Sequence, residues 1–235
     1  MTKKLKIMVM GDVHGNWEYL NAIINRHHPD IILQCGDFGF FPKWDDHMPK
    51  RKIENRLKMQ DTKLYWCDGN HEDHWTLLDK HYKGQFSEIL PNCFFATRGS
   101  VLELPDGRNV MFMGGGDSID KAMRMVGYDW FPEEQISQGN LYEALQVNKK
   151  IDIVISHQAP STFPVEQHKY YMTHGQQGGK IDDPSRDALN ELYLEHKPAL
   201  WYFGHWHIYT GGRIEDTKWT CLNMSHRTGF WEWLP

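Results

Sequence analysis

The chain has 235 residues, of which 40% are hydrophobic and 24% charged, and its formal net charge is −5 with histidine neutral. That length suits a large buried core, so residues 1–235 are expected to form a single domain. An acidic balance with no basic stripe beyond Lys3, Lys4 and Lys6 argues against strong non-specific nucleic-acid binding.

In chain order, the N-terminal half alternates two periodicities. Residues 6–10 read as a buried strand, and Trp17, Leu20, Ile23 and Ile24 follow at helical spacing. Residues 30–34 are a second strand, 51–59 a weaker helix, 63–67 a third strand and 75–80 a short helix. Strand–helix–strand order implies a parallel sheet with right-handed crossovers. The rhythm then shortens. Residues 94–96, 101–104 and 110–114 read as strands, with Pro105-Asp106-Gly107 as a hairpin turn. Pro132, with Glu133 and Glu134 behind it, starts a helix that Leu141, Leu145 and Asn148 continue. Residues 151–156 form a strand, 184–196 a helix stopped by Pro198, and 200–203 a strand. Gly211-Gly212 is expected to turn a last hairpin whose second arm carries Trp219, Cys221 and Leu222. The irregular stretch 160–184 is long enough to be expected over a site.

Cys35, Cys67, Cys93 and Cys221 form no CxxC pair, so no disulfide framework is expected. Residues 5–10 are too short a run for a signal peptide, and no stretch of about 18 apolar residues occurs. The expected location is the cytoplasm, without a membrane or an obligate protein partner.

Five polar motifs stand at the edges of these apolar runs: Gly11-Asp12-Val13-His14, Gly36-Asp37, Gly69-Asn70-His71-Glu72, Ser156-His157 and Gly204-His205-Trp206-His207. Their Asp, Asn and His side chains, with no cysteine, suit two adjacent divalent ions better than a structural zinc site. In a parallel sheet the carboxyl ends of strands share one edge, so residues far apart in sequence can converge there. Asp12 and His14 are two apart, as are His205 and His207, so on extended backbone each pair would face one way, with Trp206 opposite as a packing residue. The glycines before Asp12, Asp37 and His205 are expected to let the backbone turn sharply.

Five motifs in this order resemble the calcineurin-like metallophosphoesterase superfamily, whose signature is DxH, GD, GNH[DE], H and GHxH. The resemblance covers residues 12–207 and implies a four-layer α/β/β/α sandwich, with two central mixed sheets flanked by helices. It further implies that Asp12, His14, Asp37 and His207 hold one ion. Asp37 would bridge to a second, completed by Asn70, His157 and His205. The ions would lie about 3.5–4 Å apart, with a bridging hydroxide attacking phosphorus. His71 would be the general acid to the leaving oxygen. Manganese is the expected metal, with iron, zinc or nickel as alternatives.

The stretch Gly114-Gly115-Gly116-Asp117-Ser118-Ile119-Asp120-Lys121, continuing to Arg124, is reminiscent of small bacterial and phage members of the superfamily. Arg124 is a candidate for bidentate phosphate binding and Lys121 for an added charge, the alternative being a solvated helix face. Arg98 is expected to be structural, and Asp73 to start a helix. Asp37 is followed by Phe38-Gly39-Phe40-Phe41, not by the Asp-Arg pair of protein Ser/Thr phosphatases. A phosphorylated small molecule or nucleotide is therefore the expected substrate, as phosphomonoester or phosphodiester. The alternatives are a nuclease of the same superfamily, which would need a basic groove, and a non-catalytic scaffold.

Overall fold

The computed structural model describes residues 5–42, 52–82, 84–165 and 183–235. Two six-stranded sheets form its centre. The first contains β1 (Ile7–Met10), β2 (Ile31–Gln34), β3 (Lys63–Trp66), β4 (Phe86–Leu90), β5 (Cys93–Ala96) and β12 (Trp231–Trp233), in the order β12-β1-β2-β3-β5-β4. The second contains β6 (Ser100–Glu103), β7 (Asn109–Met113), β8 (Ile153–Ser156), β9 (Leu200–Phe203), β10 (Thr210–Ile214) and β11 (Thr217–Cys221), in the order β10-β11-β9-β8-β7-β6. In each, four parallel strands are closed at both edges by an antiparallel one.

Strand alternation divides the apolar residues among three cores. Ile7 and Val9 of β1 join Ile31, Leu33, Val110, Phe112, Ile153 and Ile155 between the sheets. Met8 and Met10 point the other way, onto Leu20, Ile23 and Ile24 of helix α1 (Trp17–His27). Met111 and Val154 likewise leave the middle and meet Leu189 and Leu192 of helix α5 (Pro184–His196). A strand apolar on both faces is what burial between a sheet and a helix demands. The result is an α/β/β/α sandwich.

Helix α1 begins where the Asn16 side chain accepts the Tyr19 N–H at 3.4 Å, and it ends at His28 in a left-handed conformation. Leu20 and Ile24 are fully buried, each worth about 2 kcal/mol, so a charge at Ile24 would undo the docking. Helix α5 has Pro184 in its first turn, and Asp183 caps it by accepting from the Ser185 and Arg186 N–H groups.

Several expectations need correction. The helix expected over 51–59 is a single turn, α2 (Ile53–Arg56), within the described residues. The helix expected over 75–80 is a short α3 (His74–Thr76) running into a π-helical turn at Leu77–His81. Pro132–Glu134 is a separate 3-10 turn; helix α4 (Gln138–Leu145) starts anew at Ser137, which forms a capping box with Asn140. The strand β4 was not anticipated; its half-buried residues lack a clear alternating pattern. Gly211 and Gly212 lie inside β10, not at its turn, because side chains there would strike Trp219 across the ladder; the chain reverses at Glu215-Asp216, with Glu215 in a left-handed conformation. Trp231 and Trp233 are on β12, which covers the edge of β1. The stretch 160–184 is described only at its two ends, and His168 and His174 lie outside the described residues. Among the described residues no helix is long and apolar enough to cross a membrane.

Candidate metal centre

The carboxyl ends of β1, β2 and β3 in one sheet and of β8 and β9 in the other meet at one edge of the sandwich. There the five motifs come together. Asp12, His14, Asp37 and His207 offer ligand atoms that all lie within 4.8 Å of one another. His207 Nε2 is 3.1 Å from Asp12 Oδ2 and 3.1 Å from His14 Nε2, and His14 Nε2 is 3.6 Å from Asp37 Oδ2. A second group lies beside it. Asn70 Oδ1 is 3.0 Å from His157 Nε2 and 2.9 Å from His205 Nδ1, and His157 Nε2 is 3.3 Å from Asp37 Oδ1. The two oxygens of Asp37 thus face different groups.

The donor chemistry fits cations in both places. The Cys35 carbonyl, 2.9 Å from His157 Nδ1, can only accept, so Nδ1 is protonated, and in the neutral ring Nε2 then carries a lone pair. That lone pair faces Asn70 Oδ1 and Asp37 Oδ1, neither of which has a proton to give. Lone pairs converging without a donor in a buried place are costly unless a cation satisfies them. Nitrogens 3.1 Å apart also match the edge of an octahedron with ligand bonds of about 2.1 Å, which is about 3.0 Å.

Backbone geometry differs from the extended segments expected. His14, Asp37, His205 and His207 all have left-handed φ, from 49° to 66°. Such conformations cost about 1–3 kcal/mol each and persist where surrounding structure enforces them. The turn at His205 and His207 separates the pair: His205 faces Asn70 and His157, while His207 faces Asp12 and His14. Trp206 is buried in the α5-side core, donating to Gln158 Oε1 at 2.8 Å with the Arg186 guanidinium 5.3 Å from its ring. Of the three glycines expected to turn sharply, only Gly36 has a left-handed φ (87°). Gly11 and Gly204 are instead needed for close approach: a Cβ on Gly204 would overlap Asp12 Oδ1, and one on Gly11 would overlap the Asn223 carbonyl.

Electrostatics follow from burial. Burial alone would raise the Asp37 carboxyl, but His157, His71, His14 and His205 hold it well below the usual carboxylate range. Burial pushes His205 well below the ordinary histidine value, keeping it neutral. Burial also pulls His207 down, but its hydrogen bond to Asp12 and that carboxylate's charge outweigh this and leave it raised.

His71 donates its backbone N–H to Asp37 Oδ1 at 2.8 Å, and its ring stands edge-on to His14 with centroids 5.2 Å apart. Its Nε2 lies 3.1 Å from Arg124 Nη2, which brings Arg124 to the site. Lys121 is held elsewhere, with its ammonium 3.0 and 3.1 Å from the two oxygens of Asp117. Arg98 is structural: it pairs with the buried Asp68 at 2.6 Å and donates to the Glu133, Glu134 and Gln135 carbonyls. Asp73 caps α3 through the Thr76 N–H.

Two contributors escaped the sequence reading. Glu72, fully buried, accepts the Gly39 N–H at 2.9 Å and the Gly69 N–H at 2.6 Å, tying the loop after β2 to the loop after β3. Its place in the Gly69–Glu72 motif was the available signal. Glu134, read as acid at a helix start, is buried against Ser118 and Trp130. Burial raises its carboxyl to about 7, against the pull of the Ser118 and Trp130 donors.

The sequence profile described as calcineurin-like phosphoesterase matches residues 5–209. The lariat debranching enzyme of Schizosaccharomyces pombe is 23% identical over 248 residues, covering 92% of this chain; the chain spans about half of that relative, 52% of its length. Among solved structures, GAP50, the anchor in the inner membrane complex of Plasmodium, aligns with a TM-score of 0.51 at 13% identity, over 92% of this chain and 70% of that one. Another solved chain aligns with a TM-score of 0.57 at 12% identity, over 93% and 90%. These structural likenesses concern the fold.

Proposed function

Because the chain belongs to the calcineurin-like phosphoesterase family, we propose that it is a two-metal hydrolase of a phosphorylated small molecule or nucleotide. The observation that carries this reading is the divided carboxylate of Asp37, with one oxygen toward His14 and the other toward His157. Asp12, His14, Asp37 and His207 would hold one divalent cation; Asp37, Asn70, His157 and His205 would hold the other, with manganese the first to supply. When bound, such ions lower the pKa of water and neutralise charge building on phosphoryl oxygens.

The chain's own side chains do the rest. Arg124, whose Nη2 lies beside His71, binds the phosphoryl oxygens and aligns the ester. His71 then delivers a proton from its ring to the departing oxygen. Residues 1–235 act as one domain. Lys121, tied to Asp117, contributes to the field and makes no direct contact with the ester.

A panel of a chromogenic phosphodiester, a monoester, nucleotides and a lariat substrate, with and without Mn²⁺, tests this reading and separates it from a nuclease. Metal-dependent cleavage of at least one small ester is expected, and Asp37→Asn should abolish it. If metal-loaded protein cleaves no small ester, or Asp37→Asn leaves activity intact, the reading fails.

A further inference from the structure

We propose that Ser118 and Glu134 are positioning residues that lock the Asn70 carboxamide with its oxygen toward the second cation. This rests on the two-metal reading above.

A carboxamide presents an acceptor at one end and donors at the other, and its two ends are nearly the same shape. Only its partners decide which end faces the histidines. Asn70 Nδ2 donates to Ser118 Oγ at 3.0 Å. Ser118 Oγ in turn donates to Glu134 Oε2 at 2.7 Å, so the single hydroxyl proton is committed away from Asn70. Arg124 Nη1, which can only donate, approaches the same oxygen at 3.4 Å. Ser118 Oγ therefore meets Asn70 as an acceptor, and the amide must turn its NH₂ there and its Oδ1 toward His157 and His205.

Glu134 is anchored for this task. Its Oε1 accepts the Ser118 backbone N–H at 2.7 Å and the Trp130 indole N–H at 2.9 Å, leaving Oε2 for the hydroxyl. Once ionised, the carboxylate has no proton to return along the chain, so polarity runs one way, from Asn70 through Ser118 to Glu134. A flipped amide would set its NH₂ against ring lone pairs and a cation, and its oxygen against the Ser118 lone pair.

Glu134→Gln tests this with little change of shape. Its amide can donate to Ser118 Oγ, turning the hydroxyl proton toward Asn70 and favouring the flipped state. Ser118→Ala removes the lock; Ser118→Thr keeps the hydroxyl. Mn²⁺ titration by calorimetry at about pH 8.5, where Glu134 is ionised, reads two binding steps. The wild type should bind two ions. Ser118→Ala and Glu134→Gln should weaken the second step by about 10–100-fold, a usual consequence of disturbing a ligand's hydrogen-bond partner. The first step should stay unchanged, and Ser118→Thr should restore the second.

A wild type that binds fewer than two ions ends the metal reading, and this proposal with it. If the wild type binds two, the positioning role alone is overturned when both variants keep the second step or lose both steps alike. Loss of both steps through unfolding of Glu134→Gln is judged on Ser118→Ala, whose second step must still be selectively weakened.

Discussion

Arg124 Nη2 lies 3.1 Å from His71 Nε2. A guanidinium only donates, so in this arrangement His71 Nε2 is an acceptor and the ring is neutral. Burial lowers the His71 pKa, and although Asp37 pulls the other way, Arg124 adds to the lowering. The guanidinium must leave this nitrogen for phosphate, and the freed nitrogen must take up a proton from solvent, before His71 can give one to the departing oxygen.

Arg124→Ala is accordingly expected to lower kcat/KM by roughly 10–100-fold, the loss of one or two charge-assisted hydrogen bonds. Steady-state kinetics on the best ester of the panel check it. An unchanged kcat/KM would remove Arg124 from the site.

His71→Ala should reduce kcat by about 10²–10⁴-fold while leaving metal content at two ions. Elemental analysis alongside turnover decides this. Loss of an ion would mean that His71 is a ligand, contrary to its ring position beside Arg124.

Glu72→Ala leaves the Gly39 and Gly69 N–H groups without their acceptor in a buried place. The expected destabilisation is roughly 2–3 kcal/mol, from two buried N–H groups left without their acceptor and partly compensated by water. Urea unfolding of metal-free protein reads it as a lower midpoint with an unchanged slope. A midpoint equal to wild type would show that the two loops are held by other contacts.

His74 provides a pH test. It is buried, and burial brings its pKa from 6.5 down to about 4. The unfolded chain takes up a proton near 6.5, whereas the native state resists until about 4. The stability this neutral imidazole contributes is therefore full above about 6.5 and is lost as pH falls through about 4, up to roughly 3 kcal/mol. Melting of metal-free wild type and His74→Phe from neutral to acid pH should show a steeper fall for wild type in that window. Parallel curves would contradict it.

The sequence by itself determined much of this protein. Short apolar runs such as 7–10 and 153–156, bounded by turn signals, suit strands buried on both faces, and polar residues soon after such strands are placed at the sheet edge. That is local physics, so Asp12, Asp37, Asn70, His157 and His205 were legible as one constellation, as was the family. Helix α5 was legible at both ends, because Pro184 and Pro198 act locally. Strand β4 was not: its residues have little pattern of their own and pair only because β5 offers a free edge.

Only the tertiary structure decided which atoms meet. Periodicity assumes regular backbone, and four residues of the centre leave it for left-handed conformations that surrounding contacts enforce. That is how His205 and His207 come to face different groups, and why Gly204 is needed for its size alone. The placement of Glu134, 64 residues beyond Asn70 yet one hydroxyl away from it, depends on long-range packing that no local pattern encodes. Ligand identity is written in the motifs; ligand orientation is set by buried donors and acceptors that must each find a partner.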